Sequence, residues 1–196
     1  MSSYYYLVAQ LPYLVYGQGV PMSSGDFRAL AGEHLAVTDA ALLDFCVLDP
    51  ASAPAPESRS VFLGRWLEWE KALRLNLAHF RAQKLRREFS LDAPQYPVDA
   101  AAAAKAALSM DSPLEAEFFL DKARWGVIES FEGIEYFDRN RVYAYLLKLL
   151  LLERHGLFRA EEGFAEYRTI YASIMNAAPL GAAGLGAIST ESGEAT

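Results

Sequence analysis

The sequence predicts an all-α helical bundle, and three stretches carry that expectation. From Val61 towards Phe89, Phe62, Trp66, Trp69, Leu73, Asn76, Leu77 and Phe80 recur at steps of three and four, the spacing of one buried helix face. Ser112, Pro113 and Glu115 combine an N-cap, a proline at the first helical position and a carboxylate in the capping-box position. From Tyr136 to Phe158, Asp138 offers an N-cap and Gly156 a stop. Between them Val142, Tyr145, Leu146, Leu149, Leu150 and Leu152 leave almost no polar face, as expected of a helix surrounded by other helices. The apolar run lasts only from Val142 to Leu152 and contains Lys148, well short of the roughly 18–20 residues that span a bilayer.

Taken in order, Tyr4–Leu14 opens with three tyrosines and contains Pro12. β-Propensity and the proline together predict an extended arm laid on the bundle. Ser23 or Ser24 caps a helix with Phe27, Leu30, Ala31 and Leu35 on one face. Thr38 is expected to cap a second short helix with Ala41, Leu42, Phe45 and Cys46 inward, completing a hairpin. Residues 50–60, with three prolines and small polar neighbours, predict an exposed, poorly ordered connection. The long helix follows, and Pro94 and Pro97 break the chain after it. Asp99 is expected to cap an alanine-rich helix of high intrinsic helicity and little side-chain volume. Next come the helix opened by Ser112, ending at Gly133, and the central helix. A last amphipathic stripe of Phe164, Tyr167, Ile170, Tyr171 and Ile174 lies in 161–177. Residues 179–196 are too small and polar to offset ordering entropy, so a disordered tail is expected. The bounds are one helical domain over 1–178, divisible into lobes 1–90 and 98–178, and a flexible tail. A weak internal parallel pairs Asn76 and Lys84 with Asn140 and Lys148, each eight apart in a long helix.

Composition narrows the function classes. Hydrophobic residues make up 53% of the 196, enough for a dense core or for apolar surface reserved for a partner. Cys46 is the single cysteine. It cannot form an internal disulfide, and its apolar surroundings predict a buried thiol in a reducing, cytoplasmic setting. The first residues carry no basic n-region and no small-residue cleavage pattern, so no secretory signal is expected. A net formal charge of −7 opposes nucleic-acid binding by the whole molecule. Within 61–88, however, Arg65, Lys71, Arg74, Arg81, Lys84, Arg86 and Arg87 outnumber Glu68, Glu70 and Glu88. This basic helix fits an acidic protein surface, and Arg74, Arg81, Lys84 and Arg87 are its candidate partner-contact residues.

No catalytic, cofactor-binding or metal-ligating residue is assigned. His34, His79 and His155 lack helix-spaced ligand partners, and neither phosphate-binding glycine loop occurs. Glu115, Glu117 and Asp121 gather near one helix start without a nucleophile or base beside them. They are expected to form a solvated acidic first turn, favoured by the helix dipole. Asn76 is expected to bond to neighbouring backbone.

The segments FLGRWLEWEKALRLNLAHFRAQKL and SPLEAEFFLDKARWGVIESFEGIEYFDRNRVYAYLLKLLLLERHGLF resemble those of the helical C subunit of V-type (A/V-type) ATPases, called d in eukaryotes. The matching positions are Pro113, Leu114, Glu115, Leu120, Asp121, Lys122, Asp138, Asn140 and Lys148 in the second segment. In the first they are Asn76, Arg81, Ala82, Lys84 and Leu85. The opening Tyr-Tyr-Tyr-Leu with Leu-Pro resembles a bacterial family encoded alongside V-type ATPase genes. This resemblance implies a shortened C/d-like bundle: a non-catalytic accessory or stalk subunit at the cytoplasmic face, whose partners are stalk or rotor subunits. The competing expectation is a helical ligand-binding protein or enzyme using an aromatic-lined apolar cavity.

Overall fold

The computed structural model describes residues 4–52, 60–89, 97–158, 166–171 and 173, whose regular elements are helices, with no strand among them. Residues 1–158 form one compact unit and 159–196 a second. In the second unit the backbone of 166–171 and 173 is helical, and Tyr167, Ile170 and Tyr171 are exposed. Phe164, Ile174, the expected tail and the prolyl stretch 91–96 lie outside the described residues, as does most of the expected connection 50–60.

The first unit is organised by α6 (Pro113–Glu132) and α7 (Arg139–Leu157). The side chain of Ser112 accepts from the Glu115 N–H, and that of Asp138 accepts from the Arg141 N–H, so both helices start where their capping residues require. Gly133, at φ 80°, turns the chain out of α6 in a conformation that disfavours any side chain. Ion pairs from Glu132 to Arg141 and Lys148, and from Asp121 to Arg154, order the two helices as an antiparallel hairpin. Helix α7 is the expected centre: Val142 through Leu149 are all buried, as are Leu151 and Leu152. It runs on through Gly156, the expected stop, to Leu157.

Helix α4 (Val61–Lys84) buries Phe62, Trp66, Trp69, Leu73, Asn76 and Leu77. The Trp66 and Trp69 rings stack at 6.2 Å, and their indole N–H groups donate to the Val47 carbonyl at 2.9 Å and to Asp99 Oδ2 at 2.8 Å. Asn76 Nδ2 donates to the Ala72 carbonyl at 2.9 Å, a local bond of the kind expected for a buried amide. The helix stops five residues before Phe89. The Arg87 N–H reaches the Ala82 carbonyl, the Arg86 N–H reaches Gln83, and Arg86 takes φ 53°. These are the two reverse bonds of a Schellman ending, with arginine where glycine is favoured.

Helix α5 (Val98–Leu108) packs on α4 through Ala100, Ala103, Ala104 and Ala107, whose small side chains permit close approach. Pro97, not Asp99, occupies its cap position. Asp99 sits inside the first turn, where the Trp69 indole claims its carboxylate. A similar correction applies to Thr38: the cap position of α3 (Val37–Ala40) is Ala36, two residues earlier, without a side-chain cap. Its Asp39 is buried. The carboxylate accepts from Tyr4 and Arg139, and the carbonyl accepts from Tyr143. Helix α2 (Ser24–His34) starts at Ser23 as expected, and Glu153 of α7 accepts from both Ser24 N–H and Oγ.

The largest departure is at the beginning. Residues Tyr5–Gln10 form a short helix, α1, and only the segment from Leu11 is extended. Burial of Leu7 and Val8 and a bond from Tyr4 N–H to the Phe137 carbonyl override the β-propensity of the tyrosines. The arm nevertheless lies on the bundle, as Tyr145 Oη donates to the Pro12 carbonyl at 2.9 Å. Nor does the Asn/Lys parallel describe equivalent places. Asn76 is buried in mid-helix and Lys84 is exposed at a helix end, whereas Asn140 lies in a first turn and Lys148 is buried. One apolar core joins side chains from both halves of 1–158.

Candidate functional site

Two charged clusters lie along the α6–α7 hairpin, each bordered by a cleft. At the end far from the connecting loop, Arg124 is 3% exposed. Its Nε and Nη2 donate to the two oxygens of Glu70 at 2.9 Å, the forked geometry of a strong guanidinium–carboxylate pair. Nη1 donates to Asp121 Oδ1 at 2.9 Å. Arg154 pairs with Glu117 and lies 3.5 Å from Asp121 Oδ1. Glu70 and Asp121 are both fully buried.

Burial opposes the charge on Arg124, but hydrogen bonds and attraction from Glu70 and Asp121 outweigh it and hold the pKa above the usual value. For Asp121 burial wins: its pKa is raised despite Arg154 and Arg124. Oδ2 of Asp121 has no hydrogen-bond partner among the described residues. The expected solvated acidic turn is therefore corrected. Asp121 faces inward because α4 supplies Glu70 to hold Arg124 beside it, and Glu117 is only about one-third exposed.

Near the loop, Lys148 is buried, with Nζ 3.2 Å from Glu132, 3.4 Å from Glu129 and 5.3 Å from the centre of the Trp125 ring. Arg141 pairs with Glu132 and lies over the Tyr136 ring. This cluster lines a cleft of about 460 Å³ beneath the N-terminal segment, whose aromatic wall includes Tyr5, Tyr13, Tyr136 and Tyr145. Tyr145 is held against ionisation by burial, with its pKa raised to about 12. Tyr6 and Tyr13 are more than four-fifths exposed.

The four basic residues singled out from sequence have different surroundings. Arg74 is engaged within the protein, pairing with Glu70 at 3.0 Å and Asp49 at 3.3 Å and donating to the Leu48 carbonyl. Lys84 reaches the Leu108 carbonyl at 3.5 Å. Arg81 and Arg87 are exposed and have no ion-pair partner among the described residues. Arg74 and Arg81 line a second cleft, of about 270 Å³, together with Arg124 and Arg154. Sequence reasoning did not find Glu70, Arg124 or Lys148 as members of buried networks. The available signal was a charged residue set between core positions: Glu70 beside Trp69, and Arg124 beside Trp125 and three after Asp121.

Among the described residues no group of three or more histidine, cysteine, aspartate or glutamate side chains is placed to hold a metal ion. No helix among them is long and apolar enough to cross a membrane. Comparison with protein-family models, curated proteins and solved structures gives no match.

Proposed function

We propose that this chain is a non-catalytic accessory or stalk protein of a V-type (A/V-type) rotary ATPase, working at the cytoplasmic face through protein–protein contacts. The observation that carries the reading is the position of the residues shared with the C/d-subunit pattern. Pro113 and Glu115 open α6, Asp138 caps α7, and Asp121 and Lys148 anchor ion pairs in the hairpin between them. Part of the resemblance thus falls on the joints of a single helical hairpin, while Lys122 of α6 and Arg81, Lys84 and Leu85 at the end of α4 are exposed. The exposed basic end of α4 and the exposed tyrosines of the N-terminal segment supply contact surface of the kind interfaces favour.

The test is a pull-down from native membranes at low and high salt. It compares wild type with a variant in which Arg74, Arg81, Lys84 and Arg87 are glutamate. Retention of rotary ATPase subunits by wild type is expected to fall in the variant and with salt, since the Debye length shrinks from about 8 Å at physiological strength to about 3 Å at 1 M. Failure of wild type to retain any such subunit would remove the assignment.

A ligand-binding bundle is the second reading, supported by the 460 Å³ cleft with its tyrosine wall and paired charges. A small molecule that co-purifies and is displaced by closing the cleft with Ala9→Trp would favour it over the first.

A further inference from the structure

We propose that the cleft between α4, α6 and α7 is a binding site for a free phosphate-class oxyanion, inorganic phosphate or pyrophosphate. Arg74, Arg81, Arg124 and Arg154 line it, with Glu117 as its one acidic lining residue. The volume of about 270 Å³ accommodates a small polyatomic anion, not a folded element of a partner.

Charge is distributed unevenly across the wall. The other carboxylates of the network do not line it: Asp49 pairs with Arg74, as does Glu70, while Glu70 and Asp121 are fully buried behind the cleft. They fix Arg124 from the protein side through Nε, Nη1 and Nη2, using three of the five N–H donors a guanidinium carries. Glu117 orients Arg154. Arg81 brings a full set of donors and has no ion-pair partner among the described residues. A cationic wall already held in place needs little ordering when an anion arrives, which favours binding.

The number of forks selects the class. One guanidinium satisfies both oxygens of a carboxylate, whereas arginines offered from three different helices suit a tetrahedral group with more acceptor oxygens. The inference does not depend on which protein partner the chain serves.

Isothermal titration calorimetry of the full chain with inorganic phosphate, pyrophosphate and acetate tests it. One pyrophosphate or phosphate per chain is expected, with acetate much weaker. Arg81→Gln should weaken binding about tenfold, the loss of one good charge-assisted contact, with the helical circular dichroism spectrum unchanged. Arg87→Gln, outside the cleft, should bind as wild type does. The proposal is overturned if phosphate and pyrophosphate both fail to saturate at millimolar concentration, if acetate binds equally well, or if Arg81→Gln and Arg87→Gln behave alike.

Discussion

Helices α6 and α7 hold opposite charges together at both ends of their hairpin, but the two ends use different cations and different lids. Far from the loop the cation is arginine. Arg124 is fixed by two buried carboxylates, and a third helix, α4, closes over the pair by contributing Glu70. Near the loop the cation is Lys148, a point charge shared between buried Glu132 and half-exposed Glu129, and the N-terminal segment leaves a cleft above it. Arginine can satisfy two carboxylates in fixed directions, so its cluster acts as a lock between three helices. Lysine has no such directionality. The difference teaches that buried charge ties three helices together at one end and leaves its cation less constrained at the other.

The comparison is broken most severely at the locked end. Arg124→Ala removes the common cation of two fully buried carboxylates, leaving Glu70 only Arg74 and Asp121 only Arg154 at 3.5 Å, and a loss of about 3–5 kcal/mol is expected in a urea titration. A loss no larger than that from Lys148→Met would abolish the distinction between the two ends. The apolar contact between them supplies a reference: Leu149→Ala, at a fully buried position of α7, should cost about 2–5 kcal/mol. Lys148→Met keeps the volume and leaves Glu132 paired with Arg141, so its cost should be on the order of 1 kcal/mol.

Alkali sharpens the view of the open end. The folded pKa of Tyr145 is raised from 10.0 to about 12, so the unfolded chain gives up this proton first. The associated stability is present below about pH 10 and is lost as pH rises towards 12. Tyr145→Phe should show less stability loss across that window, measured by thermal unfolding. An identical alkaline profile would remove the phenol from the account. The smallest effect belongs outside both clusters: Arg86→Gly relieves a left-handed arginine at the end of α4 and should stabilise by about 0.5–1 kcal/mol.

Much of this fold was legible because helix starts are local chemistry. Ser23, Ser60, Ser112 and Asp138 each accept from an N–H three residues on, and α7 declares its burial through its own residues. Of these, Ser60 went unremarked in the sequence because it lies at the edge of a proline-rich stretch. The end of α4 was illegible since no glycine marks it, and α1 was illegible since its helical state depends on Phe137, 133 residues away in sequence from Tyr4. The charged clusters fall in the same class. Glu70 and Arg124 are 54 positions apart, and neither residue's own neighbours announce the other. The basic helix was visible as composition, but the internal engagement of Arg74 and the freedom of Arg81 are set by which helices pack against α4.

The N-terminal segment has a consequence in time. Tyr4 bonds to Phe137, Tyr16 to Phe118, Tyr145 to Pro12, and Ser24 to Glu153 across 129 residues. The segment is synthesised before α6 and α7 and so must wait for these partners. At roughly 5–20 residues per second, it waits on the order of ten seconds for α7 to be synthesised. During that interval Tyr4 N–H lacks the Phe137 carbonyl and the Pro12 carbonyl lacks the Tyr145 hydroxyl. Moving this segment by circular permutation to follow α7 would bring those contacts close in sequence and should speed folding while leaving the packed bundle unchanged.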